Sequence, residues 1–374
     1  MYNIHVGEKL YQALYRKYRP QSFDDIVGQK HITTTLVHQI QSGNISHAYL
    51  FTGSRGTGKT STAKIFAKAI NCQNPQNGSP CGECEVCRAL SDPNNMDIVE
   101  IDAASNNRVD EVRDIREKVK FMPVSAKYKV YIIDEVHMLT ESAFNALLKT
   151  LEEPPKHIVF ILATTEVQKL PATIISRCMR FDFHLLDDSV LKTHLKRIFE
   201  QEKISCDEDS FSLIVKSAQG SVRDMLSIAE GIVSYTGGNI TKDQVMDVLG
   251  TTDHDTNLEI VGSLYQKDVG RAISLLDGAK KSGKNMNIVA KDISQCVRDL
   301  IVAKTCQDAK DILGFTNDVF DKYISLAKDI DINALMKYMK IFSSVITELK
   351  FALSPTVLIE TAMIDCILDD EKKN

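Results

Sequence analysis

The sequence lacks the features that mark membrane and exported proteins. No stretch approaches the roughly 18 uninterrupted apolar residues of a membrane-spanning helix, so none is expected. Residues 1–20 are mixed and charged, and they contain no apolar segment of the kind that forms the core of a signal peptide. These absences lead us to expect a cytoplasmic protein with no membrane partner.

The chain also has no internal repeat, no low-complexity tract and no excess of positive charge. Its formal net charge is −5, so any contact with nucleic acid must come from a local basic surface. Hydrophobic residues make up 43% and charged residues 25%, a balance that excludes a mostly disordered chain. The length of 374 residues suggests two or three domains.

The nine cysteines are an odd number for a framework of internal disulfide bonds. Four of them have the spacing C-x8-C-x2-C-x2-C and are Cys72, Cys81, Cys84 and Cys87. In a cytosolic chain such a cluster indicates a metal, and four thiolates suit the closed tetrahedron of a structural Zn²⁺ site. Cluster iron or free thiols are the alternatives, although the x3-C-P continuation of ferredoxin-like runs is missing. We expect each of the other five cysteines to be a buried small apolar residue.

Short apolar runs rich in β-branched and aromatic residues alternate with helical patterns through the first half of the chain. Four of these runs predict buried parallel strands, at residues 47–53, 97–102, 129–136 and 157–164. Helical patterns between or after them include residues 61–70, 109–119 and 140–153. Repeated strand–helix–strand units predict a parallel sheet covered by helices.

After about residue 187 the strand signals fade, and nearly all of the remaining chain has helical period. Residues 213–235 predict two helices joined at Gly220, and residues 236–239 predict a linker. The clearest helix is at residues 330–349, where apolar side chains such as Leu335 and Met336 recur at spacings of three and four. Such a stripe is typical of a helix face that packs into a core.

A phosphate-binding loop is the most specific motif of the chain. Residues 53–60 match G-x-x-x-x-G-K-[ST] and are Gly53, Ser54, Arg55, Gly56, Thr57, Gly58, Lys59 and Thr60. Glycines let the backbone N–H groups face phosphates, and the helix N-terminus adds partial positive charge. Lys59 would reach the β- and γ-phosphates of ATP, and the Thr60 hydroxyl would bind Mg²⁺. A glycine-rich turn without a ligand is the alternative, which the strand–loop–helix context disfavours.

Two carboxylates, Asp134 and Glu135, end the predicted strand that reads VYIIDE. The carboxyl ends of parallel strands are where ligands of such sheets bind. Asp134 would hold Mg²⁺, directly or through water, and Glu135 would act as general base on the attacking water. Asp-Glu pairs also occur by chance at strand ends, but the phosphate loop in the same predicted sheet favours the hydrolytic interpretation. The string DEVH also resembles a helicase box, but no second helicase core with its own arginine motif follows.

Longer matches assign these motifs to a family. The segments YRKYRPQSFDDIVGQ, HAYLFTGSRGTGKTS, IDAASNNRVDEVRDI, YKVYIIDEVHMLTESAFNALLKTLEEPP, LATTEVQKLPATIISRC and GSVRDMLS lie in order along the chain. With the four-cysteine insertion, they closely resemble the gamma/tau subunits of bacterial DNA polymerase III, the ATPase motors of sliding-clamp loaders in the AAA+ superfamily. The resemblance is strong over about residues 11–250 and continues more weakly to near Ile367.

The resemblance implies three domains. Residues 1–186 would form an α/β AAA+ phosphate-loop domain with a parallel sheet and a zinc-binding insertion at residues 72–87. Residues 187–247 would form a small helical lid, and residues 248–374 an all-α collar that serves oligomerisation.

The resemblance also implies roles for residues that composition and spacing leave open. Thr165 resembles sensor 1, which reads the γ-phosphate, and Thr164 is its close rival. Arg177, in the tripeptide Ser-Arg-Cys, resembles an arginine finger that acts on ATP bound by the neighbouring subunit. Arg223 resembles sensor 2, which contacts the phosphates of its own subunit's ATP. By itself, a lone arginine is usually a solvated surface residue or part of an ordinary ion pair.

Arg19 and Val27 resemble the segment that packs around the adenine in this family. The implied partners are the other clamp-loader subunits in a hetero-oligomeric ring with several copies of this chain, the sliding clamp, and primer–template DNA held through its phosphate backbone. The implied activity is ATP hydrolysis that opens and loads the clamp, within a polymerase holoenzyme of which this chain is not the polymerising subunit. The alternatives are another AAA+ ATPase that acts on DNA, or a nucleotide-sensing scaffold with little turnover.

Overall fold

A five-stranded sheet forms the centre of the first of two units in the computed structural model, which describes residues 12–92, 95–105 and 117–368. Its strands are β1 (Ala48–Gly53), β2 (Ile98–Asp102), β3 (Lys129–Asp134), β4 (Ile158–Thr164) and β5 (Met179–Phe183). They lie in the order β2-β3-β4-β1-β5, and every pair is parallel. The four predicted strands are confirmed, whereas β5 was not predicted.

Helices cover this sheet on both faces. In the described part of the first unit, Met1–Ile240, the α-helices are α1 (Leu14–Lys17), α2 (Lys30–Ser42), α3 (Lys59–Ala69), α4 (Glu85–Ala89), α5 (Glu141–Glu152), α6 (Ala172–Ile175), α7 (Asp188–Glu202), α8 (Glu208–Ser217) and α9 (Val222–Thr236). The helices predicted at residues 61–70, 140–153 and 213–235 are confirmed as α3, α5, and the pair α8 and α9. The predicted helix at residues 109–119 falls largely outside the described residues.

Strand β1 shows why these residues form a central strand. Tyr49 and Phe51 lie in the apolar cluster that includes buried side chains of α2 and α3, while Ala48 and Leu50 lie in the cluster that includes buried side chains of α5. Side chains alternate between the two faces of a strand, so a strand covered on both faces must be apolar at every position. Each large side chain buried this way contributes about 1.5–3 kcal/mol to stability.

The parallel register brings the carboxyl ends of three strands together. Thr52 pairs with Thr164, and Ile133 pairs with Leu162, so β1, β3 and β4 end at the same edge. Strand β5 also runs parallel to β1, with Met179 level with Tyr49. The phosphate loop and the acidic pair therefore share the carboxyl edge of the sheet, whereas the residues that precede β5 lie at the amino edge.

The helices α7, α8 and α9 follow the sheet and remain part of the first unit. Gly220 joins α8 to α9 with φ 83° and accepts a hydrogen bond at its carbonyl from the Leu186 N–H, at 3.0 Å. Residues 236–239, predicted as a linker, contain the left-handed cap Gly237 that ends α9. They also contain the first residue of β7 (Asn239–Ile240), which pairs with β6 (Ser205–Cys206).

The second unit, Thr241–Asn374, is helical throughout its described residues. Its helices are α10 (Lys242–Leu249), α11 (His254–Tyr265), α12 (Val269–Lys281), α13 (Met286–Thr305), α14 (Ala309–Leu313), α15 (Asn317–Asp329), α16 (Ile332–Glu348) and α17 (Pro355–Ile367). The predicted core stripe of residues 330–349 is confirmed at Leu335 and Phe342. Met336 is exposed, and Tyr338 and Val345 are buried in the stripe instead.

The predicted domain boundaries after residues 186 and 247 remain predictions. Within the described ranges, the structure has no helix that combines the length and the apolar character needed to cross a membrane.

Candidate active site and metal centre

The phosphate loop connects β1 to α3, and two of its glycines explain its shape. Gly53 has φ 134°, and a Cβ there would lie 2.2 Å from the Phe183 carbonyl oxygen. Gly56 has φ 76°, and a Cβ there would lie 2.0 Å from Ser221 Oγ and 3.1 Å from Arg223 Cβ. Only glycine adopts these backbone angles at such close approaches without strain. The loop is thereby held between β5 and the start of α9.

Lys59 is buried in the first turn of α3 and stabilises the loop around itself. Its Nζ donates hydrogen bonds to the carbonyl oxygens of Gly53 at 2.7 Å and Ser54 at 2.9 Å. Burial lowers the pKa of Lys59 from its ordinary value, and the carboxylates of Glu135 and Asp134 oppose that change. A cation enclosed by a curled backbone is the arrangement that receives phosphate groups.

Thr60 and Asp134 meet at the carboxyl edge. Thr60 Oγ1 donates a hydrogen bond to Asp134 Oδ2 at 2.7 Å, although 74 positions separate the residues. The other oxygen, Asp134 Oδ1, accepts the N–H of Glu135 at 3.0 Å. A hydroxyl and a carboxylate are hard oxygen ligands, which Mg²⁺ binds in phosphate-transfer sites. This pair of side chains therefore fits Mg²⁺.

Glu135 follows Asp134 in a left-handed conformation, with φ 47°. Its Oε2 accepts two hydrogen bonds from Thr165, one from the N–H at 3.2 Å and one from Oγ1 at 2.9 Å. The rival Thr164 is fully buried, and its Oγ1 lies 3.0 Å from His137 Nδ1. Of the two threonines, Thr165 is the one that contacts the candidate general base.

Arg223 lies where the small helical segment approaches the phosphate loop. It is an exposed residue in the first turn of α9, and its Cβ lies in the space that a side chain at Gly56 would need. Its guanidinium carbon lies 6.0 Å from the ring centroid of Tyr15. Arg223 thus lies beside the loop, and its implied role toward bound nucleotide stays a prediction. Arg55 is also exposed on this side.

Arg19 and Val27 come from the segment that precedes α2. Arg19 Nε donates to Ser61 Oγ at 3.4 Å, which connects this segment to the first turn of α3. Val27 is half-buried, and the neighbouring Gly28 packs so closely that a Cβ there would lie 2.2 Å from a methyl carbon of Leu186. The structure therefore joins Arg19 to the phosphate-loop helix, while Val27 lies nearer the start of the helical segment that follows β5.

Arg177 lies away from the other candidate residues of its own chain. Its guanidinium donates to Glu152 Oε1 at 2.7 Å and to the Thr173 carbonyl oxygen at 2.8 Å. It precedes Met179, which is level with Tyr49 at the start of β1, so it lies at the amino edge of the sheet. The four residue steps from Tyr49 to the loop at Gly53 span about 13 Å.

The four clustered cysteines bring their sulfur atoms together. All four Sγ atoms lie within 4.8 Å of one another. The distance from Cys72 Sγ to Cys81 Sγ is 3.5 Å, and that from Cys81 Sγ to Cys87 Sγ is 3.9 Å. A tetrahedral zinc ion with Zn–S bonds of about 2.3 Å holds its sulfurs roughly 3.8 Å apart. The donor set and its spacing therefore fit Zn²⁺.

Backbone N–H groups point at these sulfurs. The N–H of Cys87 lies 3.4 Å from Cys84 Sγ and, as the largest cause, lowers the pKa of the Cys84 thiol to about 6. The N–H of Cys84 lies 3.3 Å from Cys81 Sγ and lowers the pKa of that thiol. Burial raises the pKa of Cys87 to about 12, an effect that a bound cation would offset. N–H donors to sulfur are the expected surroundings of a thiolate metal site.

The cysteine module is fixed to the body of the first unit. Phe23 donates its N–H to Ser79 Oγ at 3.0 Å in a buried contact. The Asn71 side chain exchanges two hydrogen bonds with the backbone of Tyr128, at 2.7 and 3.0 Å. Of the remaining cysteines, Cys296 and Cys366 are buried as expected, and Cys178 and Cys206 are only half-buried. The expectation is wrong for Cys306, which is exposed.

Sequence reasoning missed two side chains at this edge of the sheet. His137 has a side chain only 6% exposed and lies between Glu135 and Glu166, with contacts of 3.3 and 3.4 Å. The only sequence signal was the fourth residue of the string DEVH. Ser221 lies against Gly56 and caps α9. Its one sequence signal was a serine directly after the predicted helix junction at Gly220.

Three family models match successive parts of the chain. The model described as "DNA polymerase III, delta subunit" matches residues 28–187. The model described as "DNA polymerase III clamp loader subunit, ATPase lid domain" matches residues 190–238. The model described as "DNA polymerase III subunits gamma and tau domain III" matches residues 240–371.

Curated relatives match at high identity. The chain is 43% identical over 354 residues to the DNA polymerase III subunit tau of Bacillus subtilis, which covers 95% of this chain and 63% of that protein. It is 43% identical to the tau subunit of Escherichia coli, covering 73% of this chain and 42% of that protein. It is 41% identical to the DNA polymerase III subunit gamma of Buchnera aphidicola, covering 73% of this chain and 76% of that protein.

Among solved structures, the chain is similar to the Holliday junction branch migration motor RuvB of Thermotoga maritima. The TM-score is 0.48 at 18% identity, covering 80% of this chain and 99% of that one. A DNA clamp loader delta protein of Bacillus subtilis gives a TM-score of 0.37 at 10% identity, covering 89% and 99%.

Proposed function

The chain belongs to the DNA polymerase III gamma/tau family, and from that premise we propose that it is an ATP-hydrolysing motor subunit of a clamp loader. In this role it opens a sliding clamp and loads it onto primer–template DNA during replication. The observation that carries the proposal is the convergence of Lys59, Thr60, Asp134 and Glu135 at one edge of the sheet. The chain spans 63% and 42% of the lengths of its Bacillus subtilis and Escherichia coli relatives, so the activity of the whole protein is inferred.

ATP binding begins at the phosphate loop. The Lys59 ammonium leaves the carbonyl oxygens of Gly53 and Ser54 and donates to the β- and γ-phosphates. Thr60 and Asp134 would hold Mg²⁺, directly or through water, and the ion would neutralise part of the phosphate charge. Arg223 adds a second cation from the start of α9, which makes the position of that helix sensitive to bound nucleotide.

Hydrolysis requires a base for the attacking water. Glu135 takes that role because its carboxylate directly follows Asp134 at the end of β3. Thr165, just past the end of β4, donates to Glu135 and orients it. Both residues lie at the carboxyl edge, where the γ-phosphate would lie.

Arg177 completes the site of a neighbouring subunit. Its place at the amino edge, with the length of β1 between it and its own phosphate loop, supports a role in trans. A guanidinium delivered by a neighbour stabilises the charge that develops on the transferred phosphoryl group. ATP at the interface then links two protomers, so that binding and hydrolysis control how the subunits fit together.

The same proposal includes the partners and the second metal. The chain would work in the cytoplasm in a hetero-oligomeric ring with other clamp-loader subunits, and DNA contact would be sequence-independent and salt-sensitive. The four cysteines would hold a structural zinc ion, because four thiolates leave no open coordination position for catalysis.

The test is steady-state ATPase activity of the assembled loader with sliding clamp and primed circular DNA. Lys59→Ala and Glu135→Gln should each lower turnover by about 100-fold or more. Lys68→Ala is a matched control, because Lys68 is also a lysine of α3 but contacts Ser91 rather than the loop. Unchanged turnover in both site variants would reject the motor and favour a nucleotide-sensing scaffold. Turnover without clamp loading would favour another AAA+ activity on DNA.

A further inference from the structure

His137 occupies a position that the proposed chemistry does not yet use. It lies in the short turn Val136–Met138 after β3, and its side chain is only 6% exposed. Nδ1 lies 3.0 Å from Thr164 Oγ1 and 3.3 Å from Glu135 Oε2, while Nε2 lies 3.4 Å from Glu166 Oε1. The imidazole therefore bridges the end of β3 and the end of β4.

The far side of the ring is itself held in place. Glu166 accepts a hydrogen bond from Lys169 Nζ at 2.9 Å, and this contact lowers the pKa of Glu166 below its ordinary value. The Glu166 N–H also donates to Thr164 Oγ1 at 3.0 Å. Because Thr164 Oγ1 is the hydrogen-bond partner of His137 Nδ1, the ring is fixed on both edges by the short segment 164–166 at the end of β4.

Among the residues that the structure describes, the hydrogen bonds and ion-pair contact of the candidate base all use one of its two oxygens. Glu135 Oε2 is approached by the Thr165 N–H, by Thr165 Oγ1 and by His137 Nδ1. Fixing Oε2 leaves Oε1 as the oxygen that accepts the proton of the attacking water. The left-handed backbone at Glu135, with φ 47°, is an unusual conformation for glutamate and sets the turn that brings His137 back to it.

We propose that His137 is a positioning residue that, together with Thr165, holds the carboxylate of Glu135 in the orientation needed for water activation. This inference rests on the proposed ATPase function. The imidazole presents Nδ1 to Glu135 and Thr164 and Nε2 to Glu166. The Nδ1 edge is the one that faces the base, and replacements should therefore be ranked by whether they restore a polar group at that edge.

The experiment compares three substitutions of His137 and one control substitution of His194 in the loader assembled with clamp and primed DNA. His137→Ala should lower kcat roughly 10- to 100-fold and leave the KM for ATP within about 2-fold, because the imidazole acts on the base and not on nucleotide binding. His137→Asn, whose amide reaches the Nδ1 position, should recover most of kcat, whereas His137→Gln should resemble alanine. His194→Ala removes another partly buried imidazole of the first unit, outside the site, and should leave kcat near normal.

Each outcome is decisive. The ranking Asn above Gln and Ala, with unchanged ADP binding and similar melting temperatures, supports the positioning role. If His137→Ala keeps kcat within about 2-fold of an active wild type, or if all three variants lose activity in proportion to lost thermal stability, the role is rejected. A wild type no faster than Lys59→Ala would instead reject the ATPase itself, which separates that failure from the failure of this inference.

Discussion

Gly56→Ala should destabilise the first unit through a contact between segments far apart in sequence. A Cβ at residue 56 would lie 2.0 Å from Ser221 Oγ, at a backbone φ of 76°. The left-handed conformation alone costs an alanine about 1 kcal/mol. Overlap in a packed contact adds about 1–3 kcal/mol, because Ser221 is buried and caps α9 through the Asp224 N–H. We therefore expect a total loss of about 2–4 kcal/mol.

Two further variants separate these contributions. Gly43→Ala has nearly the same backbone angle, φ 71°, but meets nothing within 4 Å, so it reports the conformational cost alone. Ser221→Ala removes the overlapping hydroxyl and should cost about 1 kcal/mol as a lost helix cap. In Gly56→Ala/Ser221→Ala the overlap is relieved in part. The double variant should therefore lose about 1–2 kcal/mol less stability than the summed losses of the two single variants.

Urea unfolding followed by circular dichroism measures each free energy of unfolding. Titration with a fluorescent ADP analogue provides a second readout, because the same contact joins α9 to the phosphate loop. A cost of Gly56→Ala no greater than that of Gly43→Ala would contradict the overlap with Ser221. Additivity of Gly56→Ala and Ser221→Ala within about 0.5 kcal/mol, the behaviour of residues that do not touch, would contradict it as well.

Three other predictions concern the four-cysteine cluster, Arg177 and the buried carboxylate of Asp97. Cys84→Ser should reduce the zinc content in elemental analysis from one ion per chain toward none, and it should lower the melting temperature. Cys306→Ser, at an exposed cysteine, should change neither quantity. Zinc-free wild-type protein would contradict the metal assignment. Arg177→Ala subunits mixed with normal ones should impair hydrolysis at their neighbours' sites, and damage confined to the variant's own site would contradict the role in trans. Asp97→Asn should cost about 1–3 kcal/mol at neutral pH, because the buried carboxylate accepts the N–H groups of Val124, Ser125 and Ala126 at 2.7–3.1 Å. Burial alone would raise the pKa of Asp97, but these hydrogen bonds outweigh burial and lower the pKa. The carboxylate therefore stabilises the fold above its unfolded pKa, and this stabilisation is lost as pH falls through the folded pKa. The free energies of unfolding of wild type and Asp97→Asn, measured by urea titration, should converge at acidic pH.

The sequence predicted β1, β2, β3 and β4 but missed β5, one of the two edge strands. Strands β1, β3 and β4 are buried along their length, so continuous apolar runs revealed them. Strand β5 reads MRFDF, and its Arg180 and Asp182 are exposed on one face. A short edge strand with alternating character gives a weaker signal than a buried one. Helix α3 begins at Lys59, before the predicted start at residue 61, because the last residues of the loop motif form its first turn.

The candidate site was predictable as a set of residues but not as a set of contacts. The phosphate-loop spacing fixes Lys59 and Thr60 relative to one strand, and the cysteine spacing permits four sulfurs to meet. The contact from Thr165 to Glu135 depends on the register of β3 with β4 and on a left-handed backbone at residue 135. Neither quantity leaves a periodic signal in the sequence, which is why adjacent threonines could not be told apart.

Under the proposed role of Arg177 in trans, its separation from the phosphate loop would give each subunit a polarity. One edge of the sheet carries the loop and the acidic pair, and the other carries the arginine. Subunits that complete one another's sites in this way would add head to tail, through two different surfaces. An open arc of such chains would then have one fewer complete site than it has chains, with a bare arginine at one end and an uncompleted loop at the other. Those unlike ends would distinguish the two sides of any gap, so that a different subunit could recognise each terminus.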